Sequence, residues 1–255
     1  MEAVAENPPK ADYGLDAPVT VKRMFTRGAW SLGSGLLLWF INHNDYPGPS
    51  NHLLAVLGAI GVVFIGGGAF MMWSSRVAKL GLRDRLLDSL DLKGEEKVLD
   101  VGCGRGLLLI GAAKRLKSGK ATGIDIWRQE DLSGNSADAT KQNAKIEGVS
   151  DKVRIETGDA RKLVYPDNNY DVVMSSLTIH NIPDQHGRDQ AIREMWRVLK
   201  PGGKLLIFDI FHAAHDIFHA AHYAKILREA GAQDVTLSGI GWLWCVPSRS
   251  LMARK

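Results

Sequence analysis

The stretch VLDVGCGRG, residues 98–106, sets an apolar run directly against three alternate glycines, Gly102, Gly104 and Gly106. A short apolar run that ends in glycines reads as a buried strand entering a sharp turn. Glycine there lets the backbone turn and come close to a ligand. The helical stretch LLLIGAAKRL follows, so the turn joins a strand to a helix. The spacing is G-x-G-x-G, not the G-x-G-x-x-G of dinucleotide folds. Asp100 precedes the turn by two residues. Asp125 closes the next strand, where a carboxylate can accept hydrogen bonds from ribose hydroxyls. An acidic residue at that distance also suits NAD, so Asp125 alone does not discriminate between nucleotides.

Strand and helix signals alternate from Lys97 onward. KVLDVG, KATGIDIW, KVRIETGDA, YDVVMSSL and KLLIFDI read as strands. NSADATKQNAKIEG reads as a helix capped by Asn135 or Ser136 and stopped by Gly148. GRDQAIREMWRVLKPGG reads as another, with Ile192, Met195, Trp196 and Leu199 on one face. This alternation predicts an α/β fold, a parallel sheet with helices on both faces, which binds ligands at the carboxyl ends of its strands.

The segments VLDVGCGRG, GIDIW, TGDA, YDVVMSSLTIHNI and LKPGGKLLIFDI, in this order and spacing, resemble the class I S-adenosylmethionine-dependent methyltransferases. The likeness is greatest to the small-molecule branch that includes the ubiquinone and menaquinone C-methyltransferases, and it covers roughly residues 80–255. It implies a Rossmann-like seven-stranded sheet whose last strand is antiparallel, with QDVTLSG and SRSLMARK as strands six and seven. It implies S-adenosyl-L-methionine as cofactor. Gly102, Gly104 and Gly106 would pass its methionine part, Asp100 would hold its amino group, and Asp125 its ribose. Ile126 and Trp127 would pack on adenine, Asp159 would accept from the adenine amino group, and the Ala160 amide would reach a ring nitrogen. Ser175 would border the methionine end. His180, after strand four, is the first candidate base and Asp209, at the end of strand five, the second.

The first ninety residues read differently. Residues 1–23 are taken as a polar tail, 24–74 as a two-helix transmembrane hairpin and 75–255 as the methyltransferase domain. The run Leu53–Trp73 carries no charge over a length that matches the hydrocarbon thickness of a bilayer. The run Gly28–Ile41 is shorter. Lys22, Arg23 and Arg27 precede it, Arg76, Lys79, Arg83 and Arg85 follow the second run, and the loop between the runs has no lysine or arginine. By the positive-inside tendency both ends lie on the cytoplasmic side, and the catalytic domain with them. Two buried helices capping a soluble domain are the competing reading.

Other bulk properties narrow the partners. A net charge of +4 without a basic run interleaved with aromatics argues against nucleic acid. Two distant cysteines, Cys103 and Cys245, give neither a metal-ligand spacing nor a disulfide framework. The N-P-P-Y motif of amide and nucleobase methylation is absent, and two cysteines do not suit arsenite methylation. A small, apolar, lipid- or quinone-like acceptor delivered from the bilayer fits best. The apolar segment GIGWLWCVP suits the lining of such a pocket, contact with the membrane, or plain core packing. A nucleotide-dependent oxidoreductase and a non-catalytic cofactor-binding membrane adaptor stand as alternatives.

One feature belongs to none of these patterns. DIFHAAH occurs twice in succession, at 209–215 and 216–222, and places His212, His215, His219 and His222 at helical spacing. Seven residues are nearly two helical turns, so an insertion of that length keeps the following face in register to about 20°. Metal binding, substrate contact and a tolerated duplication are the three readings, and no carboxylate or cysteine completes an obvious metal set. Deleting Asp216–His222 is expected to leave the fold and cofactor affinity intact. Calorimetric titration with S-adenosylmethionine checks this, and loss of binding in the deletion variant contradicts it.

Overall fold

The computed structural model describes residues 9–43, 51–210, 217–243 and 246–255. The chain divides into two compact units, Leu15–Lys79 with Glu130–Ser133, and Met1–Gly14 with Leu80–Gln129 and Gly134–Lys255.

The smaller unit is built on helices α1 (Pro18–His43) and α2 (Asn51–Trp73), followed by a π-helical turn at Ser74–Ala78. Pro18 suits the first helical position, where no amide hydrogen is needed. Helix α1 therefore begins inside the stretch read as a polar tail, and Lys22, Arg23 and Arg27 lie on the helix itself. The helices pack through small residues. A Cβ on Gly28 would lie 2.6 Å from Ile65 Cγ1 and 3.1 Å from the Gly61 carbonyl. Gly67 and Gly68 leave room for Met24 and Phe25. Ser31 Oγ donates to the Leu57 carbonyl at 2.7 Å. The outward faces are apolar and exposed, with Trp30 at 73%, Leu36 at 66% and Val63 at 70% exposure. Among the described residues one helical stretch, containing α2, is long and apolar enough to cross a membrane by length and composition. Of the two spans expected from sequence, the second is thus the one with the required length and apolar character among the described residues.

The larger unit opens on residues 9–14, which are packed rather than loose. Tyr13 is buried and donates from its hydroxyl to Glu147 at 3.1 Å. Its phenol pKa is raised, by burial first and by Glu147 second. Helix α3 (Lys79–Ser89) runs on through Gly81 without a break. Next come β1 (Lys97–Val101), α4 (Leu107–Arg115), β2 (Lys120–Asp125), α5 (Ala137–Ile146), β3 (Val153–Thr157) and β4 (Tyr170–Ser176). They are followed by α6 (Gln185–Val198), β5 (Leu199–Ile210), α7 (Ile217–Glu229), β6 (Gln233–Leu237), β7 (Gly241–Leu243) and β8 (Val246–Arg254).

The strand order is β3-β2-β1-β4-β5-β8-β6, with β7 beside β8. Strands β1 to β5 are parallel, and β8 runs antiparallel to β5 and to β6. This is the expected seven-stranded sheet with one addition: GIGWLWCVP contributes the short strand β7, and Leu243 packs against the core.

Alternation of side chains divides the core in two. Val98, Val172, Met174, Leu206 and Phe208 point to the face covered by α3 and α4. Leu99, Val101, Val173, Leu205 and Ile207 point to the face covered by α6 and α7. Burial on both faces is what a parallel sheet requires. Ser136 caps α5 by accepting from the Ala139 amide, and Gly148 follows that helix with φ +69°. Helix α6 stops at Val198, and the Pro-Gly-Gly that follows already belongs to β5. The last strand returns the chain to the start of β5, where the Gly202 amide donates to the Lys255 carbonyl at 2.6 Å.

The glycine seam of the smaller unit makes a direct test. Gly28→Ala introduces a methyl where Ile65 and the Gly61 carbonyl already stand, an overpacking expected to cost about 1–3 kcal/mol. Gly33→Ala has nothing within 4 Å and is expected to cost nothing. Thermal unfolding followed by helical circular dichroism in detergent should lower the midpoint for the first variant only.

Candidate functional site

The strand order changes direction between β1 and β4, and the crevice at such a switch is where open α/β sheets bind ligands. Two loops meet there, the glycine turn after β1 and the segment 177–182 after β4.

The glycine turn is left-handed at three positions, Gly102 (φ +76°), Gly104 (φ +52°) and Gly106 (φ +89°). At Gly102 a Cβ would also fall on the Thr178 side chain. The Gly102 and Cys103 amides donate to the Ile124 carbonyl at 2.8 and 2.9 Å. Thr140 Oγ1 donates to the Gly104 carbonyl at 2.7 Å, and Asn143 Nδ2 to that of Arg105 at 2.9 Å.

The Asp125 carboxylate joins this turn to the loop after β2. Its Oδ2 accepts from the Gly104 amide at 2.8 Å, and its Oδ1 from the Trp127 amide at 2.6 Å and Asn135 Nδ2 at 3.2 Å. A carboxylate has about four acceptor positions, so three bonds leave one. Asn135 escaped the sequence reading except as a candidate helix cap. It is 5% exposed, and its Oδ1 has no partner among the described residues.

Asp100 is 1% exposed. The Leu109 amide, in the first turn of α4, hydrogen-bonds to its carboxylate, but Oδ2 has no partner. Burial, with the nearby Asp125 charge as a smaller contribution, pushes its pKa up to about 8. Cys103, also buried, has its thiol pKa pushed well up, chiefly by burial.

The remaining sequence candidates separate. Ile126 is 55% exposed, and Trp127 adopts φ +63° with its indole N–H donating to Thr157 Oγ1 at 2.8 Å. Asp159 is engaged by Arg161, whose Nη2 lies 2.7 Å from Oδ2, and this pairing lowers its pKa. Ala160 packs against the core. Ser175 does not offer its hydroxyl to the crevice: it is buried and donates to the Val101 carbonyl at 2.8 Å, linking β4 to β1.

His180 and Asp209, read from sequence as two separate bases, form one unit. His180 Nδ1 contacts Asp209 Oδ1, and the His180 amide donates to Asp209 Oδ2 at 2.9 Å. The Ile210 amide adds a bond to Oδ1 at 3.0 Å. In a neutral histidine held this way the proton sits on Nδ1 and the lone pair on Nε2.

Of the four repeated histidines, His212 and His215 lie outside the described residues, as does the His219 side chain. His222, on α7, places Nε2 at 3.0 and 3.1 Å from the two Asp189 oxygens on α6. Among the described residues no three His, Cys, Asp or Glu side chains are grouped to hold a metal.

Residues 99–207 match the family described as a methyltransferase domain. Methyltransferase GfsG of Streptomyces halstedii is 35% identical over 129 residues, 51% of this chain and 43% of that protein. The demethylmenaquinone methyltransferase of Lactobacillus johnsonii is 32% identical over 130 residues, 51% of this chain and 50% of that protein. The chain spans half or less of the length of these relatives. Among solved structures, the cyclase SpnF superposes with a TM-score of 0.55 at 22% identity, covering 71% of this chain and 82% of that one. A SAM-dependent methyltransferase from Aquifex aeolicus gives 0.51 at 22%, covering 67% and 88%. Residues 99–207 of the larger unit thus match a methyltransferase-domain family, and the strand order is that of the fold these solved structures share.

Asp100 carries a pH dependence of its own. An unfolded aspartate titrates near 3.9, so from about pH 4 to about 8 the folded chain holds a proton that the unfolded chain does not. The stability this proton contributes is complete below that window and lost as pH rises through it. Relative to Asp100→Asn, the denaturant midpoint of the wild type is expected to fall with rising pH across the window and then level off. A difference that stays constant with pH refutes the assignment.

Proposed function

We propose that the chain is a membrane-anchored methyltransferase that moves a methyl group from S-adenosylmethionine to a small apolar acceptor of lipid or quinone type. The observation that carries the reading is the unpartnered Asp100 oxygen, buried beside a left-handed glycine turn. A desolvated carboxylate oxygen suits a cationic group such as an ammonium. The open acceptor position on Asp125 suits a hydroxyl of the ribose. Exposed Ile126 offers an apolar surface for a flat base. Asp159, already paired with Arg161, would accept from the adenine amino group, and Ser175, bonded to the Val101 carbonyl, would border the methionine end.

When bound, the cofactor supplies an electrophilic methyl group on a sulfonium. The chain's residues then have to orient the acceptor, keep water out and dispose of a proton. His180 takes the acceptor's proton at Nε2, and Asp209 fixes the ring and stabilises the imidazolium. Asp209 is a positioning residue in this scheme.

The relatives support a small-molecule acceptor. One is named as acting on demethylmenaquinone, and another, from Caenorhabditis elegans, is a sterol 4-C-methyltransferase 31% identical over 129 residues, 51% of this chain and 35% of that protein. The exposed apolar faces of α1 and α2 support attachment to a bilayer, with the catalytic domain on the cytoplasmic side.

A radiolabelled-methyl assay on carbonate-washed membranes, with the lipid products separated by class, tests both halves of the proposal. Label should appear in an extractable apolar product made by the pelleted protein. His180→Ala should lower kcat by about 10²–10⁴. Asp209→Asn should lower it less and shift the pH profile. Cofactor binding without label in any fraction would instead indicate a non-catalytic adaptor, and activity released by the wash would remove the anchor.

A further inference from the structure

The cations of the smaller unit are gathered at one end. Lys22, Arg23 and Arg27 lie on α1, and Arg76 lies in the π-helical turn after α2. All four are exposed. From Gly28 to Ser75 the sequence has no lysine or arginine at all. Among the described residues none of the four forms an ion pair, in contrast to Lys79, which pairs with Asp16 at 3.4 Å. Lys22, Arg23 and Arg27 fall within six residues of one helix, where unpaired like charges repel, so the arrangement favours an external anion.

The antiparallel packing fixes their depth. Met24 and Phe25 lie against Gly67 and Gly68, and the Arg27 guanidinium stands 6.0 Å from the centre of the Phe64 ring. The turn that carries Lys22 and Arg23 is therefore level with Phe70–Trp73. Phe70 and Trp73 are exposed and 5.9 Å apart between ring centres. Exposed aromatics level with cations at the edge of an apolar surface are the groups found together at a membrane–water interface.

The geometry points to a binding site for the headgroup of an anionic phospholipid, formed by Lys22, Arg23 and Arg27 on α1, with Arg76 in the turn after α2 adding charge at the same end of the unit. It deepens the membrane-anchored reading above and rests on it. The apolar faces of the two helices take the acyl chains, and the cations take the phosphate at the aromatic level. Among the described residues the far ends of α1 and α2 carry no lysine or arginine, so the preference belongs to one leaflet.

Tryptophan quenching by brominated lipid tests this on the full chain reconstituted into vesicles. Trp30 and Trp73 are exposed beside the cations and report the lipid in contact with them. Brominated phosphatidylglycerol in a phosphatidylcholine background should quench at a lower mole fraction than brominated phosphatidylcholine does, by about fivefold or more, since each basic residue near a charged surface adds a factor of that order. Added salt should reduce the preference. The variant with Lys22, Arg23, Arg27 and Arg76 all changed to Gln should still be quenched but without a preference. Equal quenching by both lipids in the native protein, or a preference that survives in the variant, overturns the headgroup site and leaves the anchor standing. Absence of quenching by either lipid overturns the anchor, and the site with it.

Discussion

One carboxylate holds the candidate site together. Asp125 accepts bonds from the Gly104 amide, the Trp127 amide and the Asn135 side chain. A parallel strand buried on both faces ends at the sheet's rim with amides that have no neighbour to pair with. At β1 and β2 this one side chain satisfies two of them and fixes the distance between two loops. The left-handed glycines supply the backbone freedom to bring those amides to it. Without the Asp125 acceptor the Gly104 amide would lack this partner, and the turn would lose its side-chain tie to the end of β2.

How much of this was legible depends on distance along the chain. The glycine turn, Asp100 and Asp125 could be read from local spacing, because a strand, a turn and the next strand end are close in sequence and constrain one another. Asn135, Thr140 and Asn143 were missed as members of the site. They reach the turn from the loop and helix that follow β2, and nothing in their own neighbourhood marks a side chain that will serve another loop. His180 and Asp209 were each singled out, but their union depends on β4 and β5 lying side by side, a pairing that single-residue reading does not deliver. The partners of Asp159 and Ser175 were not read either: Arg161, two residues on, pairs with the first, and the Val101 carbonyl, across the sheet, accepts from the second.

The two units solve opposite packing problems. The larger one buries apolar side chains on both faces of its sheet and places left-handed glycines in the turn after β1. The smaller one places glycine in helix interiors, where it lowers helical propensity, and gains close contact between backbones in return. Its large side chains point outward. In water that arrangement would expose the wide apolar surface that usually marks an interaction site.

The return of β8 along β5 has a practical side. Ser248 lies beside Ile210 at the crevice end of the sheet, whereas Arg254 lies beside Lys204 at the other. Lys255 is tied there through Gly202, Gly203 and the Trp196 carbonyl. The direction of one antiparallel strand thus carries the last residue to the rim opposite the glycine turn. A fluorophore, affinity handle or surface tether attached at that residue leaves the crevice of the larger unit unobstructed, which makes it the natural point of immobilisation for ligand-binding measurements.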